Sequence, residues 1–475
     1  MGHPRKNQST GESNNCRTAK GGWRWVILVM AGVALSSVIV VKNVWAEHDD
    51  RMGESYVLQD QLREGAGYRV EITVRLRGRL QLPPEVGEER REIPLHGEGR
   101  LVYVERLLTP GVKDGEYRSV RWYEQVELRR QAGENVQVAT LRPEVRRLVL
   151  LAQQGKRAPF SPDGPLTWAE LDLIRTDPFI PYLVSGLLPG QPVKVQQTWK
   201  ATLSAVRELT DLDEVDEGEI RLRLVGPVEL QGRRLLRLQL SGQVRGRNAD
   251  GQHVHQLEGT VYHDPAWPGL TYMSVRGSHQ LLDEKGQPAG RIEGAFTLSR
   301  GPVRDWPPPL QESALARLKL WPDADNTLLL FSDELLGLRF LYPRGWRVSM
   351  VRGGQVTLDH VRGAGLLLTV EPAGKMPTPQ GYLQEVEAFL RQQQARWHTR
   401  QGPRQVQTEP TEVVRFGLTA TVGNRQEQLE YAIIQQKGGG VTVAARLPLD
   451  QAEALLPEVE RIIRSIRLTP PRPKR

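Results

Sequence analysis

Three histidines have the spacing closest to that of a metal site. His253, His255 and His263 all occupy odd positions, so they share one face if residues 253–263 form a single strand. Histidines at positions i and i+2 can bind the same metal ion. His263 would lie about 26 Å from His255, at about 3.3 Å per residue, and one ion cannot bind both. We therefore expect these histidines to be solvated on an exposed face, without a metal.

An acidic run and a glycine run each resemble part of a binding loop. The acidic run consists of Asp211, Asp213, Glu214, Asp216, Glu217 and Glu219. A calcium loop needs alternating carboxylates and a glycine at its sharp turn, and Gly218 comes too late, so a solvated acidic loop is expected. Gly438-Gly439-Gly440 precedes a strand and no Lys-Ser or Lys-Thr follows it, whereas a phosphate cradle needs a helix N-terminus. These glycines predict a hairpin turn.

Catalytic sequence motifs are absent. The chain contains no Gly-x-Ser-x-Gly, His-Glu-x-x-His or Cys-x-x-Cys. We therefore predict a non-enzymatic protein with no catalytic, cofactor-binding or metal-binding residues and no cofactor. A hydrolase remains an alternative, because a site of residues scattered in sequence assembles only in three dimensions. Tryptophans could line a sugar- or lipid-binding surface, although packing is their commoner role; they are Trp122, Trp168, Trp199, Trp267, Trp321, Trp346 and Trp397.

The positive charge of the chain is concentrated at its two ends. The net charge is +8, and residues 1–46 hold six basic side chains against the single acidic Glu12. The tail, residues 469–475, is also basic, whereas the middle of the chain is close to neutral. A nucleic-acid-binding domain is expected to carry its own positive patch. The distribution therefore indicates no nucleic-acid partner.

The basic N-terminal lead is followed by an export or anchoring segment. Residues 26–41 are 16 residues without a charge, longer than the core of a typical signal peptide and slightly shorter than a membrane span. The basic flank places the N-terminus in the cytoplasm and the rest of the chain outside it. Val44-Trp45-Ala46 is a plausible signal-peptidase site. Residues 1–46 are thus either a signal peptide cleaved after Ala46 or an uncleaved membrane anchor, and both alternatives stay open.

Residues 55–300 have the pattern of a large antiparallel β module. Tyr68, Val70, Ile72, Val74 and Leu76 alternate with polar residues, which is typical of strands with one dry and one wet face. A capping box at Thr167–Glu170 predicts a short helix over 168–175, within a helical interlude near 165–190. A large curved sheet or half-barrel would bury one face of such strands. A Pro-rich linker follows at 301–326, in which residues 312–320 could form a docked helix.

Residues 327–468 are predicted to form an α+β domain with helices packed on an antiparallel sheet. Thr378 caps a helix that begins at Pro379 and runs to about Arg396, and Asp450 with Glu453 predicts a capping box for the last helix. The final helix has a strong apolar stripe. The order of elements is strands, helix, strands, helix.

The opening of this domain, Gly337-Leu338-Arg339-Phe340-Leu341-Tyr342-Pro343-Arg344-Gly345-Trp346, resembles that of PsbP-like and DcrB-like domains. Such domains begin with an apolar strand and a Tyr-Pro-x-Gly-Trp turn, and they close with a helix ending like Arg464-Ser465-Ile466. The resemblance implies a PsbP-like α+β fold and brings no catalytic residues. The N-terminal strand pattern is also similar in style to curved-sheet carriers of the LolA type.

Together these features predict an exported or membrane-anchored protein that acts in binding or assembly at the cell envelope. Its expected partners are the membrane, through residues 26–41 if they are uncleaved, and either an envelope protein or an apolar ligand. A lipid or apolar-ligand carrier of the LolA-like type is an alternative. That alternative predicts an apolar cavity lined by one face of strands such as 68–76 and 236–240.

Overall fold

The computed structural model describes residues 54–60, 62–81, 91–109, 116–153, 156–175, 177–248, 251–267, 269–283, 285–407, 411–423, 425–436 and 438–469. The predicted leader, with residues 26–41 and Ala46, lies outside the described residues, as does nearly all of the basic tail. No helix within the described ranges is long and apolar enough to cross a membrane. Most described residues belong to antiparallel strands, which confirms the predicted fold class.

The first part of the chain consists of long strands interrupted by three short helices. The strands are β1 (Ser55–Val57), β2 (Gly67–Gln81), β3 (Glu92–Thr109), β4 (Tyr117–Ala132), β5 (Asn135–Thr140), β6 (Arg147–Gln153), β7 (Lys156–Phe160), β8 (Leu166–Thr167), β9 (Pro192–Lys194), β10 (Thr198–Lys200), β11 (Glu214–Leu230), β12 (Arg233–Asn248), β13 (Gly251–Asp264), β14 (Gly269–Leu282) and β15 (Pro288–Pro302). The helices are α1 (Trp168–Arg175), α2 (Ile180–Leu187) and α3 (Leu203–Thr210).

Among the described residues, twelve of these strands form one open sheet, called the main sheet below. Its order is β10-β11-β12-β13-β14-β15-β2-β3-β4-β6-β7, with β5 paired to β4. Strand β15 pairs with β2 along its whole length, from Gly290 opposite Leu80 to Pro302 opposite Tyr68. The strands before and after the helical interlude therefore belong to a single sheet.

The main sheet has an inner face that is packed and an outer face that is wet. On β2 the inner face carries the five alternating residues from Tyr68 to Leu76, each at most 4% exposed. Helices α1, α2 and α3 add Leu171, Leu183 and Val206 to the same core. The outer face carries cross-strand ion pairs such as Arg100 with Glu71. The period-two pattern of β2 thus places its apolar side chains on the inner face and its polar side chains on the outer face.

Glycines on the inner face allow neighbouring strands of the main sheet to approach closely. A Cβ on Gly242 would lie 2.2 Å from the carbonyl oxygen of Glu219, and one on Gly277 would lie 2.1 Å from that of Gln256. Neighbouring backbones therefore approach too closely there for any side chain. Since glycine alone tolerates such an approach, a side chain at either position would push the neighbouring strand away.

The linker after β15 is pinned to the outer face of the main sheet. Arg106 on β3 donates to the carbonyl oxygen of Leu310 at 2.9 Å and forms an ion pair with Glu312. Leu310 and Leu315 pack on Val104 and Val120 in a small separate core. A helix, α4 (Glu312–Leu315), is present here, shorter than the predicted 312–320.

The rest of the chain forms an α+β unit. Its strands are β16 (Leu329–Asp333), β17 (Leu338–Tyr342), β18 (Trp346–Arg352), β19 (Gln355–His360), β20 (Gly365–Pro372), β21 (Arg396–Gln407), β22 (Glu412–Val422), β23 (Arg425–Gln436), β24 (Gly439–Pro448) and β25 (Arg467–Leu468). Its helices are α5 (Pro379–Gln392) and α6 (Ala452–Ser465). In the part of the chain that the structure describes, β18-β19-β20-β24-β23-β22-β21 form a seven-stranded sheet.

A small sheet joins the two parts of the chain. Its order is β25-β17-β16-β8, so β8 from the helical interlude pairs in parallel with β16. Arg344, in the Tyr-Pro-Arg-Gly-Trp turn, also donates to the carbonyl oxygen of Pro159 at 2.6 Å. A continuous core runs through both parts. The two parts are therefore packed together and not only tethered by the linker.

Several predicted helix boundaries are confirmed and two are wrong. Thr167 caps α1, with the amide of Glu170 donating to its hydroxyl, and Thr378 caps α5. The predicted capping box at Asp450 is absent, because a short 3-10 turn over Leu449–Gln451 precedes α6 and moves its start to Ala452. Helix α5 ends at Gln392, before the predicted Arg396, which begins β21.

Candidate functional site

The three histidines singled out by the sequence do share a face, but the prediction that this face is exposed is wrong. His253 and His255 are 0% exposed and His263 is 1% exposed. They lie on the inner face of β13, in phase with the buried Leu257 and Val261. This face is buried by tertiary packing, and the sequence of residues 253–263 alone does not reveal that burial.

Two of these histidines, His253 and His255, form a buried cluster with His279 from the neighbouring strand. This group of three is called the histidine cluster below. His279 lies directly opposite His255 in the pairing of β13 with β14, and their rings stack with centroids 4.4 Å apart. His253 Nδ1 lies 2.8 Å from His279 Nε2. His263 is separate, with its Nε2 2.8 Å from the carbonyl oxygen of Gln59.

The hydrogen bonds around the histidine cluster fix its tautomers. Asn248 donates through Nδ2 to the carbonyl oxygen of Asp211, so its Oδ1 is an acceptor facing His253 Nε2 at 2.8 Å. Nε2 of His253 must then carry the hydrogen, which leaves Nδ1 to accept from Nε2–H of His279. With these tautomers, both hydrogen bonds of the relay are satisfied by neutral rings. Within the described chain, neither ring nitrogen of His255 has a hydrogen-bond partner.

Burial keeps the histidine cluster neutral. Loss of solvation lowers the pKa of His253 to about 4 and that of His255 to about 3. The pKa of His279 is also well below its ordinary value, because of burial and the neighbouring His255 and His253. No described group of three His, Cys, Asp or Glu side chains is arranged to hold a metal ion. The arrangement is that of a dry, uncharged imidazole relay.

A second buried polar group, here called the charged network, joins β3 and β4 to Asp177, which lies between α1 and α2. Arg121 donates to Asp177 Oδ2 at 2.6 Å, and its Nε lies 3.1 Å from Glu105 Oε1. Tyr123 donates to the same Asp177 oxygen at 2.8 Å, and Ser119 donates to Glu105 at 2.6 Å. Burial raises the pKa of Asp177 to about 6, against the opposing effect of Arg121. All of these side chains are closed off from solvent.

A cleft of about 560 Å³ opens at the end of the main sheet where β15 meets β2, and it is the candidate binding site. Its walls come from the segment before β2, the turn before β14, the end of β15 and the linker. The side chains used below are Asp60, Arg63, Glu64, Trp267, Arg300 and Trp306. The volume falls within the range of small-ligand sites, roughly 300–1,000 Å³.

The floor of the cleft is held rigidly by an ion pair. Arg300 donates to the two carboxylate oxygens of Asp60 at 2.5 and 2.9 Å, and both side chains are almost fully buried. The guanidinium lies 3.9 Å from the ring centroid of Tyr68 and 5.1 Å from that of Trp267. Such a bidentate pair fixes orientation as well as charge. Trp267 is thereby positioned on one side of the opening.

The other side of the cleft depends on a glycine. A Cβ on Gly67 would lie 1.9 Å from the indole of Trp306, so the ring rests directly on the backbone of β2. Arg106 lies 5.1 Å from the centroid of the same ring. Both tryptophans remain partly exposed toward the cleft. Arg63 and Glu64 are exposed at its rim.

The acidic run of the sequence is not a loop. Its first residue ends α3 and most of the others belong to β11. Glu214 pairs with Arg247 across the strand, and Glu219 pairs with Lys200 and Arg221. These basic partners, Arg247 and Lys200 on neighbouring strands and Arg221 on β11 itself, accommodate the carboxylates in a sheet. Most of the carboxylates are exposed, so the prediction of a solvated run stands and the prediction of a loop is wrong.

Sequence reasoning named Trp267 but missed Trp306, Asp60 and Arg300. Trp306 stands in the Pro-rich linker, and an isolated tryptophan in such a segment is the one local signal of a docking contact. Asp60 and Arg300 are 240 residues apart, and nothing in the sequence pairs them.

Known proteins provide only distant comparisons. No protein family and no curated protein matches the chain. It is similar in structure to PsbP (CyanoP) of Synechocystis sp. PCC 6803, at 15% identity over 30% of this chain and 92% of that one, with a TM-score of 0.26. To the MucA/MucB complex of Pseudomonas aeruginosa it is 16% identical, over 85% of this chain and 94% of that one, with a TM-score of 0.15. To a lipovitellin, studied for its lipid–protein interactions, it is 11% identical, over 62% of this chain and 30% of that one, with a TM-score of 0.32. A PsbP protein is thus among its weak structural neighbours.

Proposed function

We propose that this is an exported or membrane-anchored protein of the cell envelope that acts by binding, without catalysis, through the cleft between β15 and β2. The observation that carries the proposal is the cleft itself. Tryptophan, tyrosine and arginine are the residue types that dominate binding energy at recognition sites. Here Trp267, Trp306 and Arg63 stand at one rigid opening. The basic and apolar leader supports the proposed location.

The burial of the titratable groups supports a role without catalysis. A general acid or base must come within hydrogen-bond reach of its substrate. His253, His255 and Asp177 have the most informative pKa shifts in the structure, yet each is closed off from solvent. Their perturbation follows from burial in a packed interior. This argues against the hydrolase alternative at these groups.

The packing of the main sheet disfavours the carrier alternative. That alternative requires an apolar cavity beside strands 68–76 and 236–240. The inner-face side chains of these strands, from Tyr68 to Leu76 and from Leu236 to Leu240, are at most 4% exposed. A ligand-sized void would leave such side chains accessible to a water-sized probe. The interior around these positions is therefore already filled.

Localisation is tested with a C-terminal alkaline phosphatase fusion in the native host. The enzyme becomes active only where its disulfides form, outside the cytoplasm. The proposal predicts activity from the full-length fusion and its loss when residues 1–46 are deleted. N-terminal sequencing of the purified protein then decides between cleavage after Ala46 and an intact anchor. An inactive full-length fusion that accumulates as intact protein would refute export.

Binding through the cleft is tested by retention of envelope material on the immobilised full-length protein. We compare wild type with Trp267→Ala and with the control Trp321→Ala. Trp321 is 55% exposed, lies under Arg118 with 4.1 Å between guanidinium and ring, and is not part of the cleft. Material retained by wild type and W321A but lost by W267A supports the proposal. Equal retention by all three proteins contradicts it.

A further inference from the structure

The cleft between β15 and β2 has the chemistry of a site for an uncharged, ring-shaped polar ligand. Its charged side chains are two acidic and two basic, namely Asp60, Glu64, Arg63 and Arg300. Asp60 and Arg300 neutralise each other in the floor. The site therefore offers no excess charge to select an anion or a cation. Its remaining recognition surface is the two partly exposed indoles.

The strands that border the cleft exclude one common mode of peptide binding. An extended peptide gains affinity by adding a strand to an open sheet edge. Strand β2 is hydrogen-bonded to β15 on one side and to β3 on the other, and β15 is likewise paired to β14 and β2. Neither strand has an open edge here. The ligand must therefore be recognised by side chains, within a half-open cleft of about 560 Å³.

The lining also does not suit a lipid chain. Arg63 and Glu64 are exposed at the opening, and an acyl chain would remove these two charged side chains from water without pairing them. A pyranose ring has the opposite character, because it presents C–H groups on its faces and hydroxyls at its edges. The faces suit indoles, and the hydroxyls can donate to Glu64 and accept from Arg63.

We propose that the cleft binds a neutral saccharide unit of an envelope polymer, which contacts Trp267 and Trp306 and has Arg63 and Glu64 at its edge. This inference rests on the proposed function and specifies its ligand. Rigid placement of Trp267 by Arg300, and of Trp306 by its contact with Gly67, means that little ordering is required on binding.

The first test uses the full-length protein in detergent with maltotriose, cellotriose and triacetylchitotriose as probes. Binding is followed by calorimetry and tryptophan fluorescence. We expect at least one trisaccharide to bind, and Trp267→Ala to weaken it at least tenfold, as truncation of a central aromatic contact does. Trp321→Ala should leave the affinity unchanged. Arg63→Ala, at an exposed position, repeats the test if W267A melts at a lower temperature than wild type.

The second test separates this inference from the proposed function. Envelope material is treated with periodate, which cleaves vicinal diols, or with protease before retention on wild-type protein and W267A. Cleft-dependent retention that survives protease and is lost after periodate supports the saccharide. Cleft-dependent retention that is lost after protease and survives periodate overturns it, while the proposed binding function stands. Retention that does not depend on Trp267 overturns both.

Discussion

Acid should destabilise this protein through the histidine cluster. A histidine whose folded-state pKa is lowered contributes stability that is present above its unfolded pKa, about 6.5, and is lost as the pH falls through the folded value. For His253 and His255 the folded values are about 4 and about 3. At 1.36 kcal/mol per pKa unit, going from pH 7.5 to 4.5 should cost about 2–3 kcal/mol for each of these two rings.

Asp177 acts in the opposite direction. Its folded pKa is raised to about 6, so its contribution is fully present below the unfolded value near 4 and is lost as the pH rises through 6. Acidification to pH 4.5 should therefore raise the free energy of unfolding by about 2 kcal/mol through this carboxyl. The effect of His253 and His255 is larger, and these three groups together should lower the free energy of unfolding by about 3 kcal/mol.

The decisive variant is His255→Leu. It removes one titrating ring and, with it, nitrogens that are buried without hydrogen-bond partners, which cost about 1–3 kcal/mol when unsatisfied. H255L should thus be at least as stable as wild type at pH 7.5. Between pH 7.5 and 4.5 it should lose about 2–3 kcal/mol less than wild type. His96→Gln is the control, because His96 is exposed on β3.

Denaturant unfolding followed by circular dichroism at several pH values gives the free energies. Hydrogen exchange of β13 and β14 amides shows whether the loss begins at the histidine cluster. The reasoning is refuted if H255L and wild type lose the same free energy between pH 7.5 and 4.5.

Three further predictions follow from individual contacts. Gly67→Ala should displace the Trp306 indole and cost about 1–3 kcal/mol by overpacking, measured by tryptophan fluorescence and thermal melting; an unchanged spectrum would contradict the contact. Arg300→Ala should cost about 3–5 kcal/mol, because Asp60 is left buried without its partner, whereas a loss below about 1 kcal/mol would mean that the pair is solvated. Thr167→Ala should cost about 1 kcal/mol through loss of the α1 cap, measured by chemical denaturation, with Thr167→Ser retaining stability.

The sequence predicted best where the signal is local. Alternation from Tyr68 to Leu76 indicated a strand with one covered face, and the structure covers that face. The Thr167–Glu170 box started a helix where it should, because both hydrogen bonds lie within four residues. The Asp450 box failed because a 3-10 turn competes for the same residues. Local patterns are reliable only where no other local structure uses the same groups.

The candidate site could not be predicted because its parts meet only in the fold. The same alternation that placed His253 and His255 on one face of a strand is compatible with an exposed or a buried face. The polar side chains favoured an exposed face in the prediction. In the structure the buried face is completed by His279, which lies on β14 opposite His255. The cleft likewise combines Asp60 with Arg300, whose pairing follows from the contact of β15 with β2.

Buried polar pairs offer this protein a way to fix strand register. Its single cysteine, Cys16, precedes residues 55–300, so no disulfide within the main sheet can set the pairing of its long strands. Glu105 lies directly opposite Tyr68 on one side and Arg121 on the other. A slip by one residue would turn Arg121 to the outer face and leave Glu105 buried without it, which costs about 3–5 kcal/mol. A slip by two residues would keep Arg121 on the inner face but take it away from Glu105, and an aliphatic row would tolerate that slip better. We therefore expect the register of the main sheet to be fixed at two places, by the charged network and by the histidine cluster. Neither group is expected to add much net stability.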